Sequence, residues 1–119
     1  PRILVIEDEA PIRDEVLDWL TFEGYDVIFA VNGKLGLKAI QEQMPHLVLC
    51  DIAMPEMDGL QVLTAVRSDS AMSAIPFIFL TASADRVSIH KGLDMGADDY
   101  ITKPFTHAAV LNAVTAHLK

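Results

Sequence analysis

The chain has 119 residues, 51% of them hydrophobic, which suits one domain with a sizeable core and excludes a disordered segment. With 17 Asp and Glu against 9 Lys and Arg the net charge is −8, a surface sign that repels phosphate backbones and argues against direct nucleic-acid binding. Cys50 is the only cysteine, so no internal disulfide forms, and no apolar run approaches the roughly 18 residues of a membrane helix.

Along the chain two hydrophobic patterns alternate. Residues 3–6 are a short, continuously apolar run, which predicts a strand covered on both faces. A helix is expected after Glu9, with Pro11 near its first position, Ile12, Val16 and Leu20 on one face, and Gly24 marking its end. A second strand at 27–30 leads to the turn signal Asn32-Gly33 and a second helix. The third strand, 47–50, is followed by Asp58, placed to cap a helix burying Leu60, Leu63 and Val66. After the fourth strand, 77–80, a helix is expected over about 84–95, with Ser83 able to cap it and Gly92 weakening it. A weaker strand near Tyr100 and Ile101 precedes Thr106, which can cap a fifth helix with Val110, Leu111, Val114 and Leu118 facing inward. No repeat, low-complexity tract or linker interrupts this, so residues 1–119 read as one α/β domain: a doubly wound, five-stranded parallel sheet with five helices.

In such a sheet ligands bind beyond the carboxyl ends of the strands. Glu7 and Asp8 follow the first strand, Asp51 the third, Thr81 the fourth and Lys103 the fifth, so all five belong to one edge. Three carboxylates this close repel one another unless a cation intervenes, and Mg²⁺ is the natural one for oxygen ligands. An ionised Asp51 can attack phosphorus, while Mg²⁺, Lys103 and the Thr81 hydroxyl suit the charge that phosphoryl transfer spreads over the equatorial oxygens. Singly, each residue has a plain explanation. Glu7-Asp8-Glu9 suits a solvated helix start, Asp51 a turn, Thr81 a cap and Lys103 the surface. Cys50 reads as a small buried hydrophobe, Trp19 as packing on the first helix, and Met54 and Met57 as loop packing. His46, His90, His107 and His117 lack paired metal spacing and read as surface residues.

The stretches ILVIEDEAPIR, LVLCDIAMPEMDGL, FIFLTAS and GADDYITKPF, in that order and spacing, resemble the motifs of bacterial two-component response regulator receiver domains, chemotaxis receivers among them. The resemblance runs from Ile3 to the last helix. It implies a flavodoxin-like sheet of order 2-1-3-4-5 and a signalling switch phosphorylated on Asp51 by a histidine kinase or phosphotransfer protein. It further implies that Asp8 binds Mg²⁺ directly and Glu7 through water, with Asp51 and the Ala53 carbonyl completing the protein ligands. Lys103 would contact the phosphoryl group, Thr81 and Tyr100 would form the switch pair, and the Lys103-Pro104 bond would be cis. The face of the fourth helix, fifth strand and fifth helix would then control an output domain or downstream partner. Such a domain catalyses its own phosphorylation and slow dephosphorylation, so it is an enzyme only in part, and its expected location is the cytoplasm.

Two positions depart from the family's common pattern. Glu7 stands where Asp is frequent, and Ala113 where the OmpR-like transcription factors carry an Arg used in dimer salt bridges. The fifth helix also lacks Glu, leaving Lys91, Asp94, Asp98 and Asp99 without cross-subunit partners, and the isolated domain is expected to be monomeric. A Mg²⁺-dependent phosphatase of the haloacid dehalogenase type would need Asp-x-Asp after the first strand, which Glu7-Asp8-Glu9 is not. A pseudo-receiver that only binds partners would not need the full set Asp8, Asp51, Thr81 and Lys103. The absence of an initial Met points to processing or to a segment of a longer chain.

Overall fold

Strands and helices alternate along the whole chain: β1 (Arg2–Ile6), α1 (Ala10–Phe22), β2 (Asp26–Ala30), α2 (Gly33–Gln43), β3 (Leu47–Asp51), α3 (Gly59–Ser68), β4 (Phe77–Ala82), α4 (Arg86–Asp94), β5 (Asp99–Lys103) and α5 (His107–His117). They come from a computed structural model of the protein that describes residues 1–82 and 85–118. The strands form one parallel sheet of order β2-β1-β3-β4-β5. No helix among the described residues is long and apolar enough to cross a membrane.

The continuous apolar runs are explained by helices on both faces. Along β1, Leu4 and Ile6 point into one core with Ile40, Val62, Leu63 and Val66, while Ile3 and Val5 point into the other with Val16, Leu20, Val110 and Val114. Strand periodicity of two divides the same run between two cores. Each fully buried aliphatic side chain contributes about 1.5–3 kcal/mol, so the inner strands anchor the fold. The edge strands β2 and β5 are only partly buried.

Helix starts follow local chemistry. Asn32 accepts from the Leu35 N–H at 2.8 Å, and Thr106 from that of Ala109 at 3.0 Å. Asp58 and Gln61 form a reciprocal capping box, 2.9 Å in each direction. This box and Gly59 correct one expectation. A Cβ on Gly59 would lie 2.4 Å from the Asp51 carbonyl oxygen, so the glycine takes the innermost place of the first turn. Positions 62, 63 and 66 share its face, and α3 buries Val62 with Leu63 and Val66 while Leu60 is only half-buried. In α5, Val110 and Val114 carry the contact with Ala113 and Leu118 beside them; Leu111, one residue round the helix, is half-buried and outside both cores. Ile12 is likewise half-buried.

Asp85 caps α4 through the Ser88 N–H; the expected cap Ser83 and helix start at position 84 lie outside the described residues. Gly92 has a packing role, because a Cβ there would sit 2.3 Å from the Phe79 ring. The glycine lets α4 lie close against β4. Asp51, Thr81 and Lys103, expected just past their strands, belong to them, because the ladder continues through Asp51↔Leu80, Thr81↔Thr102 and Ala82↔Lys103. Being held in the ladder fixes their backbones. The Lys103-Pro104 peptide is cis.

Candidate functional site

The carboxyl ends of β1, β3, β4 and β5 bring the charged residues together. Glu7 is fully buried, Asp51 is 3% exposed and Thr81 is 2% exposed, whereas Asp8 is open to solvent. Carboxylate oxygens of Glu7, Asp8 and Asp51 all lie within 4.8 Å of one another. Lys103 reaches across from β5: its Nζ stands 3.4 Å from Glu7 Oε1, 3.7 Å from Asp51 Oδ2 and 4.0 Å from Glu9 Oε1. Thr81 ends on the same edge, with Oγ1 3.4 Å from its neighbour's carbonyl at Ala82. Tyr100 stands apart, 42% exposed on the outer strand.

The loop after β3 is shaped by its own backbone. Met54 and Gly59 N–H both donate to the Ile52 carbonyl, and Met57 N–H donates to that of Pro55. Ala53 is exposed and its carbonyl takes no part in these bonds. Glu56 adopts φ 67°, a left-handed conformation uncommon for a side chain of this kind. Gly59 packed beneath Asp51 and the capping box at Asp58 hold the loop's far end.

The electrostatics follow from crowding. Burial, then the Asp51 carboxylate, push Glu7 up to about 8 against the opposing pull of Lys103. Asp51 is also raised, by burial and by Asp8, although Glu7 and Lys103 act the other way. Burial by itself would lower Lys103, but Asp51, Glu7 and Glu9 hold it above its ordinary value. Burial pushes the Cys50 thiol well up, in keeping with a packing role. Glu7 Oε1 is buried without a hydrogen-bond donor. A buried oxygen with no hydrogen bond, 3.4 Å from Lys103 Nζ and among hard oxygen ligands, fits a small divalent cation such as Mg²⁺.

Two features lay outside the sequence reading. Arg13, the last residue of the first motif, donates from Nη1 to the Glu7 carbonyl at 3.0 Å. Its position within ILVIEDEAPIR was the only available signal. His107 and His117, expected as simple surface residues, are half-buried and paired: with Glu23 at 3.0 Å, the His107 ring stacking on Trp19, and with Asp99 at 3.2 Å. Tertiary packing supplies both partners. Trp19 itself is half-buried against its core, as a packing residue should be.

Comparison with known proteins places this edge in a class. The family described as "Response regulator receiver domain" matches residues 3–115, and the chain belongs to it. It is thus the phosphorylation-activated signalling module of a response regulator. Among individual proteins, it is 39% identical over 118 residues to the DNA-binding response regulator MtrA of Mycobacterium leprae, covering 99% of this chain and 51% of that one. A CheY-like receiver domain protein from Methanospirillum hungatei superposes with a TM-score of 0.91 at 32% identity, covering 98% of this chain and 92% of that one. The chemotaxis protein CheY4 of Vibrio cholerae does so with 0.91 at 28% identity, covering 98% of each. The chain spans about half the length of the curated relatives it matches.

Proposed function

We propose that residues 1–119 form one receiver domain whose phosphoacceptor is Asp51. A carboxylate oxygen of Asp51 attacks the phosphorus of a phosphohistidine on a kinase or phosphotransfer protein; the new O–P bond forms as the N–P bond breaks. The observation that carries this reading is the convergence of three carboxylates within 4.8 Å, with Lys103 shared between two of them. Asp8, Asp51 and the Ala53 carbonyl would hold Mg²⁺, with Glu7 acting through water. When bound, the ion supplies the positive charge that offsets the clustered carboxylates and the phosphoryl oxygens. Lys103 moves from Glu7 to a phosphoryl oxygen, and Thr81 donates its hydroxyl to another. The Thr81 movement frees space for the exposed Tyr100 to turn inward, which re-forms the face of α4, β5 and α5. The same residues later hydrolyse the acyl phosphate slowly.

That face would control an output domain or a separate protein in the cytoplasm. The relative MtrA is a DNA-binding regulator, so a DNA-binding output is the first candidate for a longer chain containing this domain. The isolated domain is monomeric in this reading. Asp98 is engaged by Arg67 and Asp99 by His117, and α5 offers neither Arg nor Glu for pairing across a two-fold axis. Incubation with acetyl phosphate and Mg²⁺ tests the acceptor: the parent should gain one phosphoryl group by intact-mass analysis, and Asp51→Asn none. Full phosphorylation of Asp51→Asn would remove Asp51 from the role.

A further inference from the structure

We infer that Arg13 is a positioning residue for the acidic pair, holding the Glu7–Asp8 peptide so that Asp8 is presented to the cation. The inference rests on the metal-site reading given above and adds a residue to it. Glu7 is gripped on both sides: its N–H donates to the Ala30 carbonyl at 3.2 Å, and its carbonyl accepts from Arg13 Nη1 at 3.0 Å. The second of these bonds falls on the peptide unit that leads into Asp8. The exposed Asp8 side chain lies against the Asp51 carboxylate, and the peptide plane leading into Asp8 helps to set its direction. Mg²⁺ demands near-ideal octahedral geometry, which makes ligand direction costly to lose.

Arg13 is itself fixed. Its side chain is 13% exposed, and its guanidinium carbon lies 5.2 Å from the centroid of the Phe29 ring on the edge strand β2. Asp14, its nearest acid, is 4.0 Å away, too far for a hydrogen bond, and Nε is buried without an acceptor. Ion pairing therefore does not account for its placement, whereas the Glu7 carbonyl and the Phe29 ring do. The planar guanidinium suits this double task, stacking on a ring while one edge donates.

Positioning and bare charge give opposite signs. Arg13 is cationic and close to the site, so if it acted only through its charge, removing it would tighten Mg²⁺ binding. If it positions the peptide, removing it weakens binding, by about tenfold on the scale of outer-layer supports of metal ligands. Isothermal titration of the folded protein with MgCl₂, without any phosphodonor, reads this directly. Arg13→Met is expected to bind about tenfold more weakly while its circular dichroism and cooperative melt remain those of a folded domain. Phe29→Ala, which removes the ring beneath the guanidinium, should weaken binding roughly two- to fivefold. It serves as the deciding variant if Arg13→Met does not fold. Unchanged or tighter binding in the folded variant overturns the inference. Asp8→Ala separates this failure from that of the site: loss of binding there, with Arg13→Met like the parent, rejects the role of Arg13 alone. Unaltered binding in Asp8→Ala rejects the site.

Discussion

The two ends of the sheet use the same residue types to opposite effect. At the carboxyl end, Glu7, Glu9 and Asp51 crowd Lys103, Asp8 lies beside Glu7 and Asp51, and Glu7 retains a buried oxygen with no hydrogen bond. At the amino ends of β4 and β5 the acids Asp98 and Asp99 each have a partner. The Arg67 guanidinium donates to the carbonyls of Gly96 at 2.8 and 3.0 Å, Ile75 at 2.8 Å and Ser73 at 3.1 Å, and to Asp98 at 3.0 Å. The same Asp98 oxygen accepts the Phe77 N–H at 2.8 Å, and His117 meets Asp99 at 3.2 Å. Satisfied charges tie α3, the start of β4 and the entry to β5 into a scaffold. Crowded carboxylates at the other end leave an excess of negative charge that a bound cation would offset.

The largest way to break this contrast is to relieve the crowding. Without metal, Glu7 keeps its proton to about pH 8 in the folded chain, far above its ordinary 4.5. Between those values the folded state binds more protons than the unfolded one. The stability this group contributes is therefore full below about pH 4.5 and is lost as pH rises through about 8. Urea unfolding in EDTA should show the parent weakening from pH 5 to pH 8.5. Glu7→Gln should flatten that fall and exceed the parent by a few kcal/mol at the alkaline end, at about 1.4 kcal/mol per tenfold in proton affinity. Saturating Mg²⁺ should shrink or reverse the gap, because the ion favours the native carboxylate site. Identical pH slopes in the two proteins would show that the crowding costs nothing.

Next in size is to unmake the scaffold. Arg67→Ala strips donors from three carbonyls and a carboxylate, and should cost about 2–3 kcal/mol by urea midpoint. Phosphorylation of Asp51 should persist, since the opposite edge is untouched. A loss under about 1 kcal/mol would mean water replaces the clamp without cost. The smallest effect belongs to His117→Ala, whose pair with Asp99 is partly exposed and should contribute under about 1 kcal/mol. A loss above about 2 kcal/mol would make that pair part of the scaffold in the same sense as Arg67.

How far this was legible in advance differs by residue. β1, β3 and β4 were readable because a continuous apolar run between turn signals has few other homes, and all three are buried. The edge residues Glu7, Asp8, Asp51, Thr81 and Lys103 were readable because a parallel sheet gathers strand ends wherever their strands fall in the chain. Val62 in place of Leu60 was not, because the rotation of α3 depends on Gly59 meeting the Asp51 carbonyl.

By its own pattern the sequence determined the order of elements, the buried strands and the caps Asp58 and Thr106, which follow from neighbours a few residues apart, and the acidic edge, which follows once a parallel sheet gathers its strand ends. Only the tertiary structure decided that Gly92 seats α4 against Phe79, that Arg67 clamps Gly96 from 29 residues away, and that Arg13 holds the Glu7 carbonyl while lying over Phe29. Each of these depends on the distance between two elements once packed. Close packing sets that distance from both sides at once, so no local stretch of the chain contains it.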